Sequence, residues 1–302
     1  LSDLTAEGVL YAIPYNRSTQ GFYVNNDLLK QAGLDGPATT WEEYRADAEK
    51  FQEVMGEGYY YGYAFFNQFL FDAISYSFGA QISTPEGEVL LNSPEQVEMM
   101  QFFQDMYNDG LLLMQPVVVG GFQEQHGAFL EGKVATVFQT TSFMPTAQEI
   151  LDCDWSFELL PAGKGGNAIT IGGSKVAVTV AAKDEQMDAI KKFLDFLSSP
   201  DAAARVFIET SNLPVRMSVL ERDDVKAYLG ENPSAAKMLD QLQYGKAAPS
   251  VTKNIRDVFT QVSDLVNRIV YYGEDTKAVL NEYTESFQAQ FEEAKLNDEY
   301  IY

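Results

Sequence analysis

The sequence predicts an α/β fold, because short runs of β-branched and aromatic residues alternate with amphipathic helical segments. Strands that are separated by helices favour parallel pairing within a sheet. The 302 residues are 46% hydrophobic and 13% aromatic, which is enough apolar material for two domains with buried cores. The helical excess toward the end of the chain indicates helices packed outside the sheets.

Cap and turn signals predict the elements of the first half of the chain. Thr40 is a suitable N-cap, and Glu43 three residues later predicts a capping box. Ser93 is the N-cap of a later helix, with Pro94 in its first turn. The expected order is a strand over 9–15, a strand over 22–25, a short helix over 26–33, a helix over 40–54, a buried strand over 59–66, a helix over 69–78 and a helix over 93–110.

The second half continues the alternation before it becomes mostly helical. The glycine-rich residues 163–167 predict a turn, and the β-branched residues 175–181 predict a strand. The expected order is a helix over 122–131, a strand over 133–138, a helix over 141–151, a strand over 155–160, a strand over 175–181, helices over 184–197 and 201–210, and helical segments over 222–298.

The charge of the chain is strongly unbalanced, with 44 acidic and 21 basic side chains and a formal net charge of -23. A polyanion such as nucleic acid would be repelled, and so would an anionic membrane surface. We expect the charge to serve solubility. No stretch of the sequence is long and apolar enough to span a bilayer, and its first residues do not show the pattern of a leader peptide. We expect that a leader has been removed or that the chain begins inside a longer protein, and we favour the second alternative.

The sequence contains one cysteine and one histidine, which limits the chemistry that it can support. Cys153 lies between Asp152 and Asp154, and these carboxylates should raise the pKa of its thiol. His126 lies in no nucleophile motif, so we expect it to be structural. No metal-ligand spacing, dinucleotide fingerprint, phosphate-binding loop or nucleophile elbow is present. We therefore predict no cofactor, no metal site and no catalytic residues.

One segment near the start of the chain resembles a known family. Residues 13–19 read Ile-Pro-Tyr-Asn-Arg-Ser-Thr, residues 22–34 contain Asn-Asn-Asp-Leu and end in Ala-Gly-Leu, and residues 40–43 read Thr-Trp-Glu-Glu. This pattern resembles the bacterial extracellular solute-binding proteins of ABC importers, the family that includes the maltose-binding and glycerol-3-phosphate-binding proteins. The match is closest to the glycerol-3-phosphate branch.

Later segments agree with the same family in the same order. Residues 129–135 are similar to its Phe-x-x-Gly-Lys-x-Ala pattern, residues 172–173 to its Gly-Gly loop, residues 193–201 to its Phe-Leu-x-Phe-Leu-x-x-Pro pattern, and residues 213–214 to its Leu-Pro. Each segment alone is weak evidence. Together they cover nearly the whole chain.

The resemblance implies a periplasmic binding protein-like, two-lobed fold of type II, in which a hinge closes over a ligand held in an interlobe cleft. In the family a long segment precedes the strand that ends at Pro14, so we expect the N-terminal lobe to be incomplete in this chain. On this interpretation residues 1–14 are a remnant of the N-terminal lobe with the hinge strand. Residues 15–160 and 216–302 form the C-terminal lobe, and residues 161–215 are the returning part of the N-terminal lobe.

The same resemblance implies a set of ligand-binding positions. The polar side chains after the hinge strand are Asn16 and Ser18, and the strand-to-helix turn carries Thr141, Ser142 and Phe143. The Gly-Gly loop is Gly172 and Gly173, and the aromatic platform is Phe66 and Phe69. The last two positions are Asn212 in a loop and the basic residue Arg256. Hydroxyl groups and backbone amides bind polar groups, glycines permit close backbone approach, and aromatic faces suit the C–H face of a sugar.

The resemblance also narrows the ligand. The arginine that holds phosphate in the glycerol-3-phosphate branch falls between Thr260 and Asp264, where no residue is basic, although Arg256 or Arg17 would be near enough to substitute. We therefore predict a carbohydrate ligand, sugar or oligosaccharide, with glycerol 3-phosphate or a glycerophosphodiester as the alternative. The predicted partners are the permease subunits of an ABC importer, and the predicted state is a monomer at the outer face of the cytoplasmic membrane, lipid-anchored, or in the periplasm. A glycan-acting hydrolase and an interaction module are more distant alternatives.

Overall fold

The computed structural model describes residues 5–6, 9–64, 68–84, 86–116, 123–246 and 255–296. The helices, in chain order, are α1 (Asn26–Gln31), α2 (Trp41–Met55), α3 (Gln68–Phe78), α4 (Pro94–Asn108), α5 (Gln123–Leu130), α6 (Met144–Ile150), α7 (Met187–Leu197), α8 (Pro200–Thr210), α9 (Asp223–Glu231), α10 (Pro233–Asp240), α11 (Ile255–Val266) and α12 (Thr276–Leu296). The strands are β1 (Thr5–Ala6), β2 (Val9–Leu10), β3 (Ala12–Pro14), β4 (Gln20–Asn25), β5 (Tyr60–Tyr63), β6 (Leu112–Leu113), β7 (Val134–Thr140), β8 (Trp155–Glu158), β9 (Ile169–Thr170), β10 (Lys175–Ala177) and β11 (Gly245–Lys246). Mixed helices and strands confirm the α/β prediction.

The chain divides into two compact units. Unit 1 consists of residues 1–19, 140–149 and 171–240, and unit 2 consists of residues 20–139, 150–170 and 241–302. This division differs from the lobe boundaries predicted above in four places. Residues 15–19, 140–149 and 216–240 belong to unit 1, and residues 161–170 belong to unit 2. Residues 216–240 join it because α9 packs against α8, which buries Val225 and the ring of Phe207.

Unit 2 is built on a five-stranded sheet with the order β6-β5-β7-β4-β8. β5 pairs in parallel with both β6 and β7, as the alternation of elements predicted, and β4 pairs antiparallel with β8. An aromatic cluster fills its core around the fully buried Tyr44 ring and Trp41, whose indole N–H donates to Ser77 Oγ at 2.7 Å. These contacts fix α2 and α3 in the unit.

The caps of unit 2 follow the sequence closely. Thr40 Oγ1 accepts a hydrogen bond from the Glu43 amide at 3.1 Å, and Ser93 Oγ accepts from the Gln96 amide at 3.3 Å. The Glu43 carboxylate bonds Thr39, at 2.8 Å from its amide nitrogen. In a capping box the Glu43 carboxylate would accept from the Thr40 amide, whereas here it accepts from the amide one residue earlier. The bond still satisfies an amide beside the start of the helix.

Unit 1 contains a two-stranded antiparallel pair and a layer of helices. Pro14 lies opposite Lys175, and Ala12 lies opposite Ala177. The predicted strand over 175–181 is shorter than expected, because β-branched residues form a strand only where a partner strand is present, and the partner β3 has three residues. Helices α7, α8, α9 and α10 pack in succession. Across the described ranges, no helix combines the length and apolar character that crossing a bilayer requires.

Candidate ligand-binding site

The centre of the candidate site is the extended segment 15–19 of unit 1, which hydrogen-bonds to two other segments. On one side Ser18 exchanges two backbone hydrogen bonds with Gly172, at 3.2 and 2.8 Å. On the other side the amide of Leu213 donates to the Arg17 carbonyl oxygen at 2.6 Å. Three parts of the chain that are far apart in sequence, each of which carries a predicted ligand position, therefore meet here.

The Gly172–Gly173 turn is held by Asn16. The Asn16 side-chain oxygen accepts a hydrogen bond from the Ser174 amide at 2.7 Å. Gly173 has φ +129°, a conformation that side-chain-bearing residues rarely adopt, and a Cβ there would overlap the Asn16 carbonyl oxygen. The close approach that requires glycine here is to the Asn16 backbone, and close approach to a ligand stays a prediction. Gly172 is half-buried and Gly173 is exposed.

The end of β7 supplies the next group of predicted residues. Thr141–Phe143 forms a single 3-10 turn that leads directly into α6, so the predicted helix over 141–151 begins with a tighter turn. The Thr141 amide donates to the Thr19 carbonyl oxygen at 2.9 Å, which joins this turn to the segment 15–19. The Thr141 side chain is fully buried, and its hydroxyl oxygen has no hydrogen-bond partner in the described part of the chain. A buried hydroxyl without a partner is unusual.

Ser142 and Phe143 differ in what they offer to a ligand. Ser142 is exposed, and its hydroxyl lies 2.7 Å from that of Thr140. Phe143 is only 4% exposed, so its ring belongs to the packing of unit 1 and provides no open aromatic face.

Asn212 lies after α8, beside a strained residue that sequence reasoning missed. Ser211 ends the helix in the left-handed region, with φ 51°, and it is the one residue other than glycine with positive φ in the described ranges. Strain of this kind is often found near functional positions. The Asn212 side-chain amide donates to Thr210 Oγ1 at 2.8 Å, and its side-chain oxygen accepts no hydrogen bond from the residues that the structure describes.

The remaining predicted residues belong to unit 2. Phe69 is half-buried on α3, and its carbonyl oxygen accepts from Gln20 Nε2 at 2.5 Å. Phe66 lies outside the described residues. Arg256 lies on α11, and its side chain is outside the described part of the protein.

The histidine and the cysteine both have shifted pKa values, and neither is one of these positions. Burial lowers the pKa of His126, whose Nε2 lies 2.8 Å from the Gln139 side-chain nitrogen. Burial first, and then the neighbouring carboxylates of Asp27, Asp154 and Asp152, raise the pKa of the Cys153 thiol. The sequence predicted the effect of the two flanking acids. The residues that the structure describes also contain no group of three side chains arranged to hold a metal ion.

The assembled site in unit 1 consists of small hydroxyl and amide groups on tight turns, which suits hydrogen bonding to a polar solute. Structure comparison identifies the fold. UgpB from Mycobacterium tuberculosis, solved with glycerophosphocholine, matches with a TM-score of 0.85 and 23% identity over 98% of this chain and 74% of that chain. Maltose-bound MalE3 of T. maritima matches with a TM-score of 0.81 and 21% identity over 95% of this chain and 74% of that one. The fold is therefore that of the periplasmic-type binding proteins.

The family follows from the sequence comparison. The family model described as bacterial extracellular solute-binding protein matches residues 1–234, and the chain belongs to this family. A putative binding protein of Brucella abortus is 27% identical over 83% of this chain and 61% of its own length. The sn-glycerol-3-phosphate-binding periplasmic protein UgpB of Escherichia coli is 26% identical over 82% of this chain and 58% of its own length. The chain spans about three fifths of the length of these curated relatives.

Proposed function

We propose that this chain is part of the solute-binding component of an ABC importer, which captures a carbohydrate and delivers it to a membrane permease. The observation that carries the proposal is the convergence in unit 1 of segments 16–18, 141–142, 172–173 and 212–213, which the family resemblance had singled out independently. Their hydroxyl and amide groups match the hydrogen-bonding needs of a sugar. Family membership supports the same class of function.

The proposal includes the individual residues. Asn16, Ser18, Thr141, Ser142, Gly172, Gly173 and Asn212 form a polar patch on unit 1, and Phe66, Phe69 and Arg256 of unit 2 are further ligand-binding residues. Thr141 is the most informative of them, because its buried hydroxyl gains a partner when a ligand binds. We propose that unit 1 corresponds to the N-terminal lobe and unit 2 to the C-terminal lobe, in a monomer at the extracellular face of the membrane, lipid-anchored, or in the periplasm.

A glycerol 3-phosphate or glycerophosphodiester ligand is the second candidate, and it is supported by the UgpB relatives and by the neighbour solved with glycerophosphocholine. The position of the phosphate-binding arginine argues against it. Residues 260–264 carry no basic side chain, and the Asp264 carboxylate accepts a hydrogen bond from the Tyr283 hydroxyl. A carboxylate in this region opposes phosphate binding.

A thermal-shift screen of the purified chain tests the proposal. The panel contains maltose, D-tagatose, glycerophosphocholine and sn-glycerol 3-phosphate, and a ligand that binds the folded state raises the midpoint of unfolding. We expect a shift with a neutral sugar. A shift confined to the two phosphate compounds supports the second candidate, and no shift with any compound contradicts both.

A further inference from the structure

The exposed stripe of α3 in unit 2 has a composition that packing does not explain. Nine of the eleven residues of this helix are buried, and the other two, Phe69 and Tyr76, are half-buried. These two residues are seven positions apart and lie on one face, with Asp72 between them. The two residues of α3 with the greatest exposure are therefore aromatic, and a carboxyl group lies between them.

Asp72 is only 5% exposed, and no hydrogen bond or ion pair to its side chain occurs in the described part of the chain. Burial raises the pKa of this carboxyl well above its usual range. Burial, and then the negative charge of Asp72, raise the pKa of Tyr76 to about 12, so the two side chains are close neighbours. A buried acid without a partner is costly, and proteins retain such groups mainly where they serve a function.

Gln68 provides an independent observation on the same face. It lies one helical turn before Asp72, is 7% exposed, and its side-chain oxygen is buried without a hydrogen-bond partner among the described residues. Two side chains whose oxygens have no donor among the described residues thus occur one turn apart beside the aromatic rings. A ligand that brings hydroxyl donors and an apolar C–H face would satisfy all of them.

We propose that Asp72 and Gln68, flanked by Phe69 and Tyr76, form a contact for a neutral polyhydroxyl ligand and select sugars against phosphate esters. The proposal rests on the proposed function and specifies its substrate class. A carboxyl oxygen accepts a hydroxyl hydrogen bond whether or not the group is ionised. A phosphate group brings acceptors and no donors, so it leaves the Gln68 oxygen without a donor, and its charge is repelled wherever Asp72 is ionised.

The test compares the wild type with Asp72→Leu, which keeps the shape of the side chain and removes its hydrogen-bonding atoms, and with Gln68→Met. The exposed Asp35→Leu is the matched control. Isothermal titration with maltose, D-tagatose, glycerophosphocholine and sn-glycerol 3-phosphate gives the dissociation constants, and a thermal melt gives the stability of the free protein. We expect D72L to weaken sugar binding at least about tenfold, because one ligand hydroxyl loses its partner, while D35L has no effect.

The melts separate ligand binding from a structural role. We expect D72L and Q68M to melt at or above the wild-type temperature, because each variant removes a buried polar atom without a partner. A lower melting temperature for both variants, or unchanged sugar affinity in D72L, would overturn the proposal and leave the solute-binding function intact. So would a wild type that binds only the phosphate compounds. Binding of none of the four compounds by the wild type would contradict the proposed function and this proposal together.

Discussion

Replacing Gly173 with alanine tests whether the turn at the candidate site is under the constraint that the structure indicates. The new Cβ would overlap the Asn16 carbonyl oxygen and lie 2.9 Å from the Arg17 Cα, and the residue would have to hold φ +129°. Backbone strain of this type costs about 1–3 kcal/mol. Relief of the overlap would also break the hydrogen bond between Ser174 and Asn16, which is worth about 1 kcal/mol.

We therefore expect G173A to lower the free energy of unfolding of unit 1 by about 2–4 kcal/mol. Gly230 provides the matched control in the same unit. It lies within α9, and a Cβ added there would have no atom within 4 Å, so G230A should leave stability unchanged or raise it by up to about 1 kcal/mol. Urea unfolding followed by far-ultraviolet circular dichroism measures both. Equal stabilities for G173A and the wild type would refute the argument.

Three further predictions concern Thr141, Cys153 and Asp72. Thr141→Val should raise the stability of the free protein by about 1 kcal/mol and weaken ligand binding. The control Thr136→Val should lower stability, because the Thr136 hydroxyl donates to the Tyr61 carbonyl oxygen at 2.7 Å. Chemical unfolding measures the stabilities, and titration measures the binding. Cys153 should react with a disulfide reagent at pH 8 more slowly than free cysteine, because its pKa is raised, and equal rates would contradict this. Because folding raises the pKa of Asp72, the folded state loses stability relative to the unfolded state as this carboxyl ionises. The loss is absent below the unfolded pKa of 3.8 and is complete once the pH has risen through the folded pKa. The wild type should thus lose more stability than Asp72→Asn above pH 4, and parallel pH profiles from thermal melts would argue against it.

Local signals predicted the elements well. The N-caps at Thr40 and Ser93 are where the sequence indicated, because a cap depends on residues within one turn. The strand over 9–15 was less well predicted. It is divided into Val9–Leu10 and Ala12–Pro14, because pairing with different partners interrupts it. Long-range pairing is not encoded in a local pattern.

The sequence singled out the Gly172–Gly173 turn and the hydroxyl residues after β7 as ligand positions, and the structure brings both against segment 15–19. Their contact with a ligand stays a prediction. Phe143 was less predictable, because the sequence does not reveal which aromatic rings are buried.

Sequence reasoning missed Asp72 and Ser211 for different reasons. Asp72 is the one carboxylate in the largely apolar residues 68–78, which could have marked it as unusual. It was not singled out because acidic residues are abundant throughout the sequence. Ser211 has a common residue type in an uncommon backbone conformation, which only the three-dimensional structure reveals.

A solute receptor binds its ligand reversibly and leaves it chemically unchanged. Titration followed by analysis of the recovered sugar tests both properties. The purified chain is titrated calorimetrically with maltose, and the sugar is then recovered and analysed by mass spectrometry. We expect a saturable binding isotherm and recovery of intact maltose. Conversion of the sugar to glucose would indicate a hydrolase, and it would contradict the assignment of this chain as a solute receptor.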